Sequence, residues 1–107
     1  MAPLTANQFR QLALKLPGAI EASHMDHPDF RLGGKIFATL GYPDERHAMV
    51  KLTPTQQRRV LKMAPTMFKP CSGKWGERGA TNIILGAARV GVIREALSAA
   101  GDNIGGK

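Results

Sequence analysis

His27-Pro28-Asp29-Phe30-Arg31-Leu32-Gly33-Gly34-Lys35-Ile36-Phe37-Ala38-Thr39-Leu40 is the stretch that decides how this chain folds. Two short apolar-rich runs flank a Gly-Gly pair, and glycine adopts the positive φ that a two-residue hairpin turn needs at both central positions. The spacing predicts an antiparallel hairpin folded at Gly33-Gly34. Working outwards, Ile20/Ala22/His24 and Ile36/Ala38/Leu40 alternate with the period of a strand. Turn signals at His27-Pro28-Asp29, Gly33-Gly34 and Gly41-Tyr42-Pro43-Asp44 divide residues 19–52 into an antiparallel meander of three or four strands.

Helical patterns lie on both sides of the meander. Thr5 and Gln8 form a capping box, followed by Phe9, Leu12, Ala13 and Leu16 at helical spacing, so residues 6–16 read as an amphipathic helix stopped by Pro17-Gly18. A second start is Thr53-Pro54-Thr55-Gln56, with Thr53 at N-cap, Pro54 at N1 and Gln56 at N3. That helix runs to about Ala64, with Gln57, Val60, Leu61 and Ala64 inward and Thr55, Arg58, Arg59 and Lys62 outward. Residues 67–70 and 81–85 read as two strands joined by a loop, Cys71-Ser72-Gly73-Lys74-Trp75-Gly76-Glu77-Arg78-Gly79. A third helix spans 88–100, with Gly101 as its stop and 102–107 as a loose tail. The expected fold is one α+β domain over 1–107, in the order α, three or four β, α, two β, α, with helices packed on an antiparallel sheet.

At 107 residues such a domain buries roughly 65% of its unfolded surface and needs neither metal nor disulfide to fold. Cys71 is the single cysteine, which excludes an internal bridge. Residues 1–16 lack the charged start and continuous apolar core of a signal peptide. No apolar run approaches the ~20 residues that span a bilayer. These features point to the cytoplasm and to no membrane insertion.

Charge is distributed unevenly. Residues 1–50 carry five Lys/Arg against five Asp/Glu, and residues 51–107 carry ten against three, so the whole net charge of +7 lies in the second half. One-sided positive charge suits a polyanion, although a solvated basic surface can also serve solubility alone. Arg58, Arg59 and Lys62 on the outer face of the second helix can meet phosphates, and Lys69 lies on the strand that follows. In the 71–79 loop, Lys74, Trp75 and Arg78 combine cations with an indole, which suits gripping phosphate while the ring stacks on a base. In the other reading of the same residues, Trp75 folds back as a lid on the sheet.

Other constellations carry less. His24, Asp26, His27 and Asp29 lie within six residues but lack the convergent third and fourth ligands of a zinc site, so no metal is expected. An Asx-type turn, in which Asp26 and Asp29 accept backbone hydrogen bonds, accounts for them. No nucleophile stands beside them, and no catalytic constellation emerges. Gly33-Gly34-Lys35 lacks the spacing of a phosphate loop and leads into a strand. Arg31 or Lys35 is expected to pair with Asp29 or Glu21, and Cys71 to be a small buried or half-buried thiol.

Leu16-Pro17, Ser23-His24, His27-Pro28-Asp29-Phe30-Arg31, Gly34-Lys35-Ile36-Phe37-Ala38, Val50-Lys51-Leu52, Phe68-Lys69-Pro70 and Lys74-Trp75-Gly76 resemble the MmcQ/YjbR family of small bacterial proteins. The resemblance extends from Thr5 to about Asn103. It implies an α+β domain of the kind compared with secretion chaperones and double-wing transcription factors, usually called DNA-binding, with no known enzymatic activity and no family cofactor. The chain departs from the family at Ala80-Thr81 and Ala99-Ala100-Gly101, where many relatives carry aromatics.

The combined expectation is a non-enzymatic DNA-binding domain that contacts mainly the phosphate backbone, through Arg58, Arg59, Lys62, Lys69, Lys74, Trp75 and Arg78. Two alternatives stand beside it. One is a protein-interaction or homodimerising module with an exposed apolar patch. The other is a small-ligand or nucleotide binder with a pocket lined by Phe30, Phe37, Tyr42 and Trp75, anchored by Arg31 or Lys35.

Overall fold

Both Thr-x-x-Gln pairs close as capping boxes. The Thr5 hydroxyl accepts from the Gln8 N–H at 3.1 Å while the Gln8 side chain accepts from the Thr5 N–H at 2.9 Å. Thr53 and Gln56 repeat the pattern at 3.1 and 2.8 Å. Each cap satisfies amides that the first helical turn leaves without partners, worth about 1 kcal/mol. They start α1 (Ala6–Leu14) and α2 (Pro54–Met63). The computed structural model describes residues 4–24, 27–41 and 44–105.

The meander has four strands, β1 (Ile20–His24), β2 (His27–Leu32), β3 (Lys35–Leu40) and β4 (His47–Lys51). The β2–β3 hairpin turns at Gly33 and Gly34, with φ of 59° and 83°, the positive pair that its sequence calls for. After α2 come β5 (Phe68–Pro70), a short α3 (Gly73–Glu77), β6 (Ala80–Ile84), a 3-10 turn at Leu85–Ala87 and α4 (Val90–Gly105). The six strands form one antiparallel sheet in the order β1-β2-β3-β4-β6-β5, so β6 inserts between β4 and β5.

Helices α1 and α4 pack against each other and on the sheet. Phe9 and Phe30 meet edge to face at 6.1 Å, and Ala38, Val50, Ile83 and Phe68 continue the buried face across the strands. One irregularity breaks the expected alternation in β3. The register slips between Phe30 and Arg31, and the consecutive Phe37 and Ala38 are both fully buried, the effect of a bulge that adds one residue to one strand. In β1, Glu21 reaches Arg10 of α1 at 2.9 Å, which turns its neighbour Ile20 away from the helices, 59% exposed.

Four expectations are corrected. The 71–79 segment is not all loop, since α3 occupies its centre. Gly101 does not stop the last helix: α4 continues through it to Gly105. A Cβ at 101 would stand 3.2 Å from Leu16 Cδ1 and 3.4 Å from Leu32 Cδ1, so glycine serves the close approach of α4 to those side chains. The tail is accordingly helical through 105, held by Asn103 Nδ2 donating to the Lys51 carbonyl at 3.1 Å; residues 106–107 lie outside the described residues. Finally, Asp29 is not a turn residue. It sits in β2, fully buried, and accepts from Arg31 Nε at 2.7 Å and Nη2 at 3.1 Å. A buried carboxylate needs such a paired, bidentate donor, and these hydrogen bonds in turn raise the Arg31 pKa above its ordinary value. Asp26 lies outside the described residues.

Cys71 is half-buried, with Sγ 3.3 Å from Asn82 Oδ1, and desolvation raises its pKa. Thiol reagents attack the thiolate, so Cys71 should label more slowly than a free cysteine at neutral pH. Full reactivity is expected to return in denaturant, which a time course of maleimide labelling would check.

Candidate nucleic-acid interface

The placement of α3 depends on two contacts that a larger or less polar residue would destroy. Gly76 is buried, and a Cβ there would overlap the backbone carbonyl of Cys71. From α2, the buried Gln57 side chain turns its two amide hydrogens towards three acceptors: the Gly76 carbonyl at 3.0 Å, the Ala80 carbonyl at 3.1 Å and Thr81 Oγ1 at 3.1 Å. The Thr81 hydroxyl donates onwards to the Gly79 carbonyl at 2.8 Å. Gly79, at φ 111°, lies so close to the Leu52 carbonyl that a Cβ would overlap it. Helix α3 is thus clamped between α2, the end of β4 and the start of β6, and it projects Lys74 and Trp75 from a fixed backbone.

A cleft of about 310 Å³ opens beside it, lined by Lys51, Leu52, Lys74, Trp75, Arg78, Ala80 and Asn103. Among the described residues, three cations and no carboxylate line this cleft. Trp75 is 60% exposed, which removes the reading of a lid folded onto the sheet. Lys51 Nζ stands 5.0 Å from the centroid of its ring, a cation–π contact worth about 0.5–1 kcal/mol at exposed sites. Asn103, by donating Nδ2 to the Lys51 carbonyl, ties the last turn of α4 to this end of β4 and leaves its Oδ1 as an acceptor.

The expected site residues divide into two groups. Lys74, Trp75 and Arg78 come together in the cleft. Arg58, Arg59 and Lys62 are exposed on α2 and Lys69 on β5, and none of the four lines the cleft. Arg58 Nη2 donates to Thr55 Oγ1 at 3.3 Å. Covalent continuity with Gln57 and its bond to Gly76 join the α2 ridge to the cleft through a rigid connection. Lys51 and Asn103 were missed as site residues. Lys51 already belonged to the basic run, but its strand-end position gave no sign of a ring partner, and Asn103 was assigned to a tail.

Electrostatic pairing is as uneven as the sequence. Among the described residues, the ion pairs Arg10–Glu21 and Arg31–Asp29 and the His47–Asp44 hydrogen bond all lie in residues 1–50. Among the described residues, Lys51, Arg58, Arg59, Lys62, Lys69, Lys74 and Arg78 have no carboxylate partner. Phe30 and Phe37 are fully buried in the core, so they form no ligand pocket with the exposed Trp75, and Tyr42 lies outside the described residues.

No curated protein matches this chain. Among solved structures, the crystal structure of Deinococcus radiodurans protein DR2400, which contains a DUF419 domain, superposes with a TM-score of 0.72 at 16% identity. The match covers 91% of this chain and 75% of that one, and it shows the same fold. The YjbR family model matches residues 14–100, from the end of α1 to the middle of α4 and including β1–β6 and the whole cleft except Asn103. This chain belongs to the YjbR family.

Proposed function

We propose that this protein is a non-enzymatic DNA-binding domain of the cytoplasm that holds its partner mainly by the phosphate backbone. The observation that carries the reading is the cleft lined by Lys51, Lys74, Arg78 and an exposed Trp75, with no carboxylate among the described residues of its lining. Cations left unpaired by the protein are available to replace the counterions condensed on a polyanion, and releasing those counterions drives association. Arg58, Arg59 and Lys62 extend the positive surface from α2, and Lys69 adds to it from β5. An apolar docking face finds less support. Among the described residues, the exposed large apolar side chains Leu14, Ile20, Met63, Trp75 and Val90 sit on five different elements, and single exposed apolar residues are ordinary on any surface.

Three phosphates at the cleft and one on the α2 ridge give a slope of log K against log salt of about −3.6 on duplex DNA. A salt titration on duplexes of unrelated sequence is the test. Equal slopes and similar affinities across sequences are expected, because phosphate contacts position a protein without reading bases. Affinity that does not change with salt would overturn the proposal.

A further inference from the structure

We infer that the Trp75 cleft is a seat for one unpaired nucleotide, with its base on the indole and its phosphate on Lys74 and Arg78. Lys51 is the cation that gives up the ring when the base arrives. The inference rests on the DNA-binding reading above and adds a strand preference to it.

Four features of the cleft converge on this occupant. Its single tryptophan is mounted on a helix clamped by Gln57 and Gly76, yet the ring itself is 60% exposed. A rigidly mounted, exposed aromatic ring is a stacking platform, because little side-chain freedom is lost when a planar group settles on it. The ring face is already held by a charge: Lys51 Nζ sits 5.0 Å from the centroid. A base that takes that face releases Lys51 towards the phosphate attached to the base, so the charge contact is transferred and not lost. The remaining lining supplies donors from Lys74 and Arg78 and one acceptor, Asn103 Oδ1, whose amide nitrogen is committed to the Lys51 carbonyl. The volume of about 310 Å³ lies at the lower end of the range of about 300–1,000 Å³ for small-ligand clefts. It seats one nucleotide unit, whereas a duplex reaches the cations at its border only through backbone phosphates.

Strand preference follows from the stack. Bases inside a duplex have both faces covered and cannot offer one to an indole, whereas a single strand, a frayed end or an extruded base can. A free nucleotide carries the same chemistry, so the two sources must be separated by measurement.

Trp75 is the single tryptophan of the chain, so its fluorescence reports on this site alone. The full chain is titrated with a short oligothymidylate strand, a duplex of equal length and thymidine 5′-monophosphate. Trp75→Ala and Trp75→Phe are compared with the wild type by anisotropy of the labelled polymers. The single strand should quench the indole saturably. Trp75→Ala should lose roughly 5- to 150-fold in single-strand affinity, the range for one stacked base, and Trp75→Phe should recover most of it. Duplex affinity should change less than about threefold in both variants, since the phosphate contacts remain. Single-strand binding with an unquenched indole, or equal losses on both polymers, would overturn the inference. Salt-dependent duplex binding with no response at Trp75 would remove the seat and leave the DNA reading standing. Saturable quenching by the mononucleotide with no binding of either polymer would do the reverse.

Discussion

Gly76→Ala should lower stability by about 3 kcal/mol, the upper end for overpacking a site that cannot relax. For a domain of this size that is a fall in thermal midpoint on the order of 10–20 °C. The added methyl would overlap the carbonyl carbon and oxygen of Cys71, which are backbone atoms fixed by the Cys71 N–H bond to the Ala80 carbonyl at 3.0 Å. Relief therefore requires moving α3, and moving α3 breaks the Gln57 bond to the Gly76 carbonyl. Gly91→Ala is the matched control, because nothing lies within 4 Å of a Cβ at that helical position. It should be neutral or raise stability by a few tenths of a kcal/mol through helix propensity. Thermal melts of both variants check the contrast. Equal effects would mean that α3 is not clamped as described. The Gly76 variant should also shift the Trp75 emission, since the ring is mounted one residue away.

Local chemistry was legible wherever a short motif satisfies itself. The two Thr-x-x-Gln boxes and the Gly33-Gly34 turn involve partners within three residues, so their geometry is contained in the sequence. The unequal charge also survived folding, because Glu21, Asp29 and Asp44 of the first half found partners in Arg10, Arg31 and His47 of that same half. What escaped was set by distant partners. Gly73 and Gly76 within nine residues read as flexible loop, yet glycine at 76 is required by a close backbone approach and the helix is held by Gln57, 19 residues away. Gly101 read as a stop, yet Leu16 and Leu32 demand a small residue there while Asn103 binds a strand 52 residues back. The same limitation hid Lys51. Its position at the end of β4 is evident from the pattern, but its ring partner arrives only when β6 inserts beside β4 and brings α3 with it.

Replacing the three cleft cations together, as Lys51→Gln, Lys74→Gln and Arg78→Gln, should reduce the salt slope on duplex DNA from about −3.6 to about −0.9. Between about 50 and 200 mM salt the wild type then loses about 150-fold in affinity and the variant only three- to fourfold. Glutamine keeps much of each side chain's length and polarity, so the change isolates charge. Lys74 and Arg78 are exposed and Lys51 is half-buried at a strand end, so the fold should persist and circular dichroism should be unchanged. The parallel variant Arg58→Gln, Arg59→Gln and Lys62→Gln should shift the slope by about 0.9 at most. The two sets carry equal charge but differ in convergence. The cleft cations share one concavity with low-dielectric walls formed by Leu52, Ala80 and Trp75, where a field is concentrated. Those on α2 stand on a convex helix face where water and salt screen each one separately. If both variants flatten the slope equally, total charge and not convergence governs binding, and if the α2 variant flattens it more, the centre of the interface moves from α3 to α2.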